Sequence, residues 1–315
     1  MTIDLNVSRK ALTYTPHERT ERVYGEHTTS AWLGIDLSML GVQNYVSSCI
    51  SQPEPFQHGK MMAATRAAAS GGLDFVALSA EFCADASRPQ AVLDAINVGA
   101  QMRTIDGSGV VMEVLPEPKI VAQALDAVCV EGSGWASLAI RIDQNVDLVN
   151  TVAAFEAICE AGVGLVVNLA SASPSAEMME IVAQYANMVR LQVADPHTAR
   201  GIRYGLRALA RDAERDLPVV VDLGVVISAT SSAAHERAIL VSEITGCELF
   251  SGIPTVYGTV YDVADTIERW VGLGAADGVV IHPASLPIDL ASLVRGVLPL
   301  LSGRAGVEVK QQSLV

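Results

Sequence analysis

The stretch "VGLVVNLASASPSAEMMEIVAQYANMVRLQVADPH", residues 163–197, decides the fold. It opens with an apolar, β-branched run over 163–171 that reads as a buried strand. Pro174 and Ser175 are helix start signals, and "PSAEMMEIVAQYA" after them has a helical period. A second strand reads over 187–195, and "PHTARGIRYGLRALARDAERD" continues as a long helix.

The same alternation extends both ways. Upstream, strands read at 31–40, 73–80, 107–116 and 134–143, separated by helical stretches such as "QHGKMMAATRAAASGG" and "EPKIVAQALDAVCVEG". Downstream, strands read at 217–228 and 277–283, with "SAAHERAILVSEIT", a loop "GCELFSGIPTVYGT" and the helical "VYDVADTIERWVGLG" between them. "DLASLVRGVLPLLSG" closes the pattern as a helix. Eight strands alternating with helices predict a single (β/α)8 TIM barrel over residues 31–315, with residues 1–30 as an N-terminal extension. A doubly wound open sheet is the alternative. It would want a glycine-rich first βα turn, and the glycines of "GIDLSMLG" are too far apart for that fingerprint. No Walker, HExxH or GxSxG motif is present.

Composition narrows the partners. Half of the 315 residues are apolar and only 5% are aromatic, which suits parallel strands buried on both faces. The formal charge of −14 argues against nucleic acid or anionic lipid, both of which need clustered Lys and Arg. The five cysteines are odd in number and lack a CxxC, so the reading is a reducing, cytoplasmic setting with no structural disulfide and no metal site. The first thirty residues have no apolar signal core, and no window reaches a membrane span.

In a parallel barrel the active site sits at the C-terminal strand ends. The predicted exits carry Asp36 and Ser38; Ser79, Ala80 and Glu81; Glu113; Arg141 and Asp143; Asn168, Ser171 and Ser173; Asp195 and His197; Asp222 and Ser228; and His282. Ser171, Ser173 and Ser175 precede a helix, where hydroxyls and exposed N–H groups bind phosphate. The same serines also read as an N-cap and a tight turn. His282 reads as a donor at the mouth or as a core histidine. Glu113 reads as a site carboxylate or as half of a structural ion pair with Arg141. Asp195 and His197 flank the mouth or simply start a helix; His58 and His235 read as solvated, and Trp135 as packing beneath the barrel wall.

The segment "YGTVYDVADTIERWVGLGAADGVVIHPASLPIDLASLVRGVLPLLSGRAG" resembles the closing part of the bacterial-luciferase-like flavin monooxygenases, in their nitrilotriacetate and desulfurisation branch. Gly258, Thr259, Val263, Ala264, Asp265, Glu268, Trp270, Gly274, Asp277, Gly278, Leu286, Pro287, Leu298 and Pro299 carry the likeness. Weaker similarities in "GGLDFVALSAE", around Pro118 and Trp135, and in "NLASASPSAE" extend it over about residues 31–305.

The resemblance implies reduced FMN or a deazaflavin as cofactor, and a monooxygenase or related oxidoreductase acting on a small organic substrate. It implies Ser171, Ala172, Ser173 and Ser175 around the phosphate and His282 and Glu113 near the ring. It also implies a flavin reductase as partner and a homodimer or a heterodimer with a homologue; the Ala-rich "MMAATRAAASGG" is a helix that could pack against its copy. There are departures. Ala80 or Glu81 stands at the family's aspartate, Glu117 at its histidine, and Ser171 and Ala172 at the Gly and Ser of its phosphate loop. One helix separates Asp143 from Val163, where the family carries a long insertion. A non-catalytic flavin-binding or regulatory subunit is therefore the second expectation. An aldolase-type barrel would want a lysine at a strand exit, and none is predicted there.

Overall fold

The computed structural model describes residues 21–24, 27–40, 58–80, 91–107, 109–129, 134–246, 248–286 and 288–304. Glu81, Pro287, three of the five cysteines (Cys49, Cys83 and Cys247) and residues 1–20 lie outside them. Strands β1 (Glu21–Tyr24) and β2 (His27–Ser30) pair antiparallel in a sheet of their own. All eight strands expected from the sequence follow: β3 Trp32–Asp36, β4 Phe75–Leu78, β5 Gly109–Glu113, β6 Ala136–Ile142, β7 Gly164–Leu169, β8 Met188–Leu191, β9 Val219–Ile227 and, after an intervening β10, β11 Gly278–Pro283. They pair in parallel in that order, and β11 closes on β3. The chain is a single closed (β/α)8 barrel.

Local chemistry sets the helix starts. Ser175 caps Ala176–Tyr185 by accepting from Met178 N at 3.1 Å, and Asp195 caps Pro196–Asp212 by accepting from Thr198 N at 2.7 Å. Thr259 and Asp262 form a reciprocal capping box at the start of Val260–Gly272. The strands' outward residues pack against these helices in one apolar cluster.

Inside the barrel a second cluster fills the N-terminal half. Trp32, Phe75, Val111, Trp135, Ala139, Val166, Met188, Val220 and Val280 belong to it. Trp135 therefore packs within the barrel rather than beneath its wall. Its ring lies 6.0 Å from that of Phe75 and against Gly109, where a Cβ would sit 2.3 Å from the indole.

The base of the barrel is tied by a repeated device. Asp74 accepts from Leu33 N at 2.8 Å, Asn187 from Leu165 N at 2.8 Å and Asp277 from Val219 N at 2.9 Å. Asp277 also holds Arg203 and Arg207 of the helix Pro196–Asp212. The aspartate of "AADG" thus lies at the end opposite the mouth, where residues serve stability.

One expectation is corrected. The stretch read as a loop over 246–259 contains a ninth strand of the same sheet, β10 (Thr255–Gly258), parallel to Gly224–Ile227 of β9. β9 has nine residues and pairs with β8 only through Val219–Val221. Its upper half offers an open edge, and Thr255, Val256 and Tyr257 are strand formers that take it. The excursion folds back over that strand. Phe250 rests on Gly224, and Ala234 and Ala238 cover Val226.

Candidate functional site

Strand alternation carries the inner face upward from the apolar floor. Two residues above a floor position stand Glu113, Arg141, Asn168, Arg190, Asp222 and His282, and Asp36 stands four above Trp32, so that seven different strands contribute. The C-terminal half of the barrel is therefore polar and its N-terminal half apolar.

Arg190 is the centre of this layer and is 4% exposed. Its Nη2 donates to Asp36 Oδ2 at 2.8 Å and lies 2.7 Å from His282 Nε2. Its Nε donates to Asp222 Oδ1. The remaining carboxylate oxygens are also paired: Asp36 Oδ1 accepts from Ser38 N at 2.9 Å, and Asp222 Oδ2 accepts from Gln192 Nε2 at 3.1 Å. Ser38 Oγ in turn accepts from Ser79 N at 2.7 Å, linking the exits of β3 and β4. Burial by itself would raise the Asp222 carboxyl, but Arg190 and His282 outweigh it and hold Asp222 well below the usual carboxylate range. Asp36 is lowered in the same way, against its own burial, by His282 and Arg190. For Arg190, burial alone would favour loss of the proton; Asp222 and Asp36 reverse this and raise its pKa.

Glu113 behaves in the opposite sense. Its carboxyl accepts from Asn168 Nδ2, and burial pushes its pKa up; Arg190, Asn168 and Arg141 oppose the rise without cancelling it. Asn168 is 1% exposed, and its Oδ1 has no hydrogen-bond partner among the described residues. The partner expected for Glu113 was Arg141. Arg141 is instead exposed at the exit of β6 and makes no hydrogen bond or ion pair among the described residues. It acts on Glu113 only through its field.

The other sequence-selected residues fall as follows. Ser171 is buried and accepts from Ser173 N at 3.2 Å; Ser175 is the cap described above; Ala172 and Ser173 are exposed between them. Asp195 is spent on its cap, and neither it nor His197 joins the inner face. Asp143 accepts from Asn145 N at 2.8 Å. His58 and His235 are exposed, and His235 stands edge-on to Tyr257. Ser228 lines a separate cavity of about 530 Å³ beside Arg237 and Thr259. Among the described residues no cluster of His, Cys, Asp or Glu is arranged to hold a metal.

Sequence reading missed Arg190 and Gln192, which organise the layer. The signal was available in "MVRLQV": Met188, Arg190 and Gln192 share the face opposite to Val189, Leu191 and Val193. A charged residue at mid-strand on the inner face of a barrel needs buried counter-charges, and Asp36 and Asp222 were the candidates.

No family model and no curated protein matches the sequence. Solved structures do match the fold. An EDTA monooxygenase from Chelativorans sp. BNC1 is similar with a TM-score of 0.67 at 15% identity, over 87% of this chain and 94% of that one. A coenzyme F420-dependent tetrahydromethanopterin reductase from Methanopyrus kandleri is similar with a TM-score of 0.58 at 11% identity, over 86% and 99%. The oxygenating constituent of a Pseudomonas putida 3,6-diketocamphane monooxygenase, solved with FMN, gives 0.55 at 11%, over 88% and 98%. The likeness to luciferase-like flavin monooxygenases read from the sequence is matched by the whole barrel.

Proposed function

We propose that this chain is a flavin- or deazaflavin-dependent oxidoreductase of the luciferase-like type, a monooxygenase acting on a small organic substrate. The supporting observation is the barrel's likeness, over 86–88% of the chain, to a coenzyme F420-dependent reductase and to a monooxygenase constituent solved with FMN. The C-terminal mouth suits such a group. Ser171, Ser173 and Ser175 each keep a hydroxyl proton to donate, and the first turn of Ala176–Tyr185 adds its dipole. Residues 171–175 would hold the phosphate; Glu113 and His282 would face the ring.

Bound reduced flavin supplies the electrons and the oxygen chemistry. The chain's own work is then positioning and proton control. Burial keeps a proton on Glu113 Oε to higher pH than on a free carboxyl, so this group can donate a hydrogen bond. Arg190 with its carboxylates forms a fixed floor that cannot collapse into the mouth. The apolar cluster below it excludes water from beneath.

Ser173→Asp tests the assignment by placing a negative charge beside the phosphate. Reduced FMN should bind at least about tenfold more weakly, the equivalent of about 1.4 kcal/mol. Unchanged affinity would remove residues 171–175 from the site. A second reading is a non-catalytic subunit that pairs with an active homologue. It draws on the connection from β6 to β7, which is the single helix Leu148–Glu160. In either case we propose a cytoplasmic dimer, supplied by a reductase if it is catalytic.

A further inference from the structure

We infer that Arg190 is a positioning residue that fixes His282 in its Nδ1-protonated tautomer, so that His282 presents an N–H donor to the mouth. The Nε2 atom of His282 lies between two groups, Arg190 Nη2 at 2.7 Å and Asp222 Oδ2 at 3.2 Å. These demand opposite protonation. A guanidinium carries donors only, so its contact requires a bare Nε2 lone pair; the carboxylate would accept from an Nε2 proton.

The rest of the network decides between them. With Nε2 protonated, two N–H donors would oppose each other at 2.7 Å. With Nε2 bare, Asp222 loses little, because Oδ2 keeps Gln192 and Oδ1 keeps Arg190. Asp36 is likewise held by Ser38 and Arg190. Each carboxylate oxygen in the cluster thus keeps another donor when the neutral ring leaves Nε2 bare. That proton therefore sits on Nδ1, which has no partner among the described residues. The side chain is 25% exposed at the exit of β11, so the donor is reachable from the mouth.

The consequence concerns what the mouth accepts. His282 Nδ1–H is a donor at the mouth, in the same layer as Glu113, whose burial favours the protonated form of its carboxyl. A ligand that lies over this layer is one that offers acceptors, such as carbonyl oxygens or ring nitrogens. A ligand that presents only N–H groups at this depth meets no acceptor on His282. The tautomer itself does not depend on the flavin reading; only the identity of the acceptor does.

The test is made on the ligand-free protein. Long-range 1H–15N correlation of the histidine rings, with His282 assigned by loss of its signals in H282Q, should show Nδ1 protonated and Nε2 bare once the ring is neutral. D222N should keep that tautomer, because Arg190 remains. Arg190→Met should transfer the proton to Nε2, where Asp222 can accept it. A wild-type ring protonated at Nε2 would overturn the inference, as would a change of tautomer in D222N. Should Arg190→Met not fold, the wild-type and D222N spectra decide. Failure here leaves flavin binding untouched, and absence of flavin binding leaves the tautomer untouched.

Discussion

Glu113 is the residue whose environment makes the sharpest prediction about pH. Its native pKa lies above the ordinary value of 4.5 because burial disfavours the carboxylate. The native state therefore holds this proton more tightly than the unfolded chain. The stability it contributes is full below about pH 4.5 and is lost as the pH rises through the raised native value. Gln cannot titrate, and its side-chain oxygen still accepts from Asn168. Glu113→Gln should thus gain urea midpoint relative to wild type as the pH increases, then level off. A constant difference across pH would show that Glu113 is not strained by burial. Arg190 and Gln192 teach the complementary lesson about legibility. Asp36 and His282 were found because they stand at strand exits, which can be listed from sequence; Asp222 was listed with them, although β9 runs on to Ile227. Arg190 is in mid-strand, and only strict application of the alternation in "MVRLQV" reveals that it points inward. The partner of Glu113 was not legible at all, because strand neighbours at similar height, Arg141 and Asn168, compete for it and only side-chain geometry chooses.

At the scale of elements, the strand–helix alternation was fully legible and the excursion after β9 was not. The eight barrel strands are apolar, β-branched runs bounded by helices of clear period. β10 has four residues next to Gly252 and Pro254, a composition that reads as turn. What makes it a strand is tertiary: the edge left open where β9 outruns β8. Phe250 anchors this excursion with a backbone at φ 60°, a conformation uncommon for a non-glycine residue, and its ring occupies the space of a missing Cβ at Gly224. Gly224→Val should displace the ring and expose the 246–254 connection to limited proteolysis while the barrel remains folded by circular dichroism. Resistance equal to wild type would show that this contact does not hold the excursion down. At the other end of the barrel, Asp277→Ala leaves Val219 N without its side-chain acceptor and reduces Arg203 to Gly274 O and Arg207 to Asp216. It should lower stability by about 1–3 kcal/mol in urea unfolding, with no change in ligand affinity. A loss of affinity at equal stability would move Asp277 into the functional account.

The whole molecule is a barrel divided across its middle: aromatic and aliphatic residues fill the N-terminal half, and a charged, hydrogen-bonded layer fills the half toward the mouth. This division explains how a chain only 11–15% identical to its structural neighbours keeps their architecture. The outward strand faces and helix starts are general requirements of the fold, met by many sequences. The direct measurement is an anaerobic titration of the purified protein with reduced FMN and, separately, with the reduced deazaflavin, followed by absorbance and fluorescence. The account predicts saturable binding of one of them with a perturbed flavin spectrum, weakened by Ser173→Asp. Absence of binding by either, in a protein whose circular dichroism shows it folded, would contradict the flavin assignment.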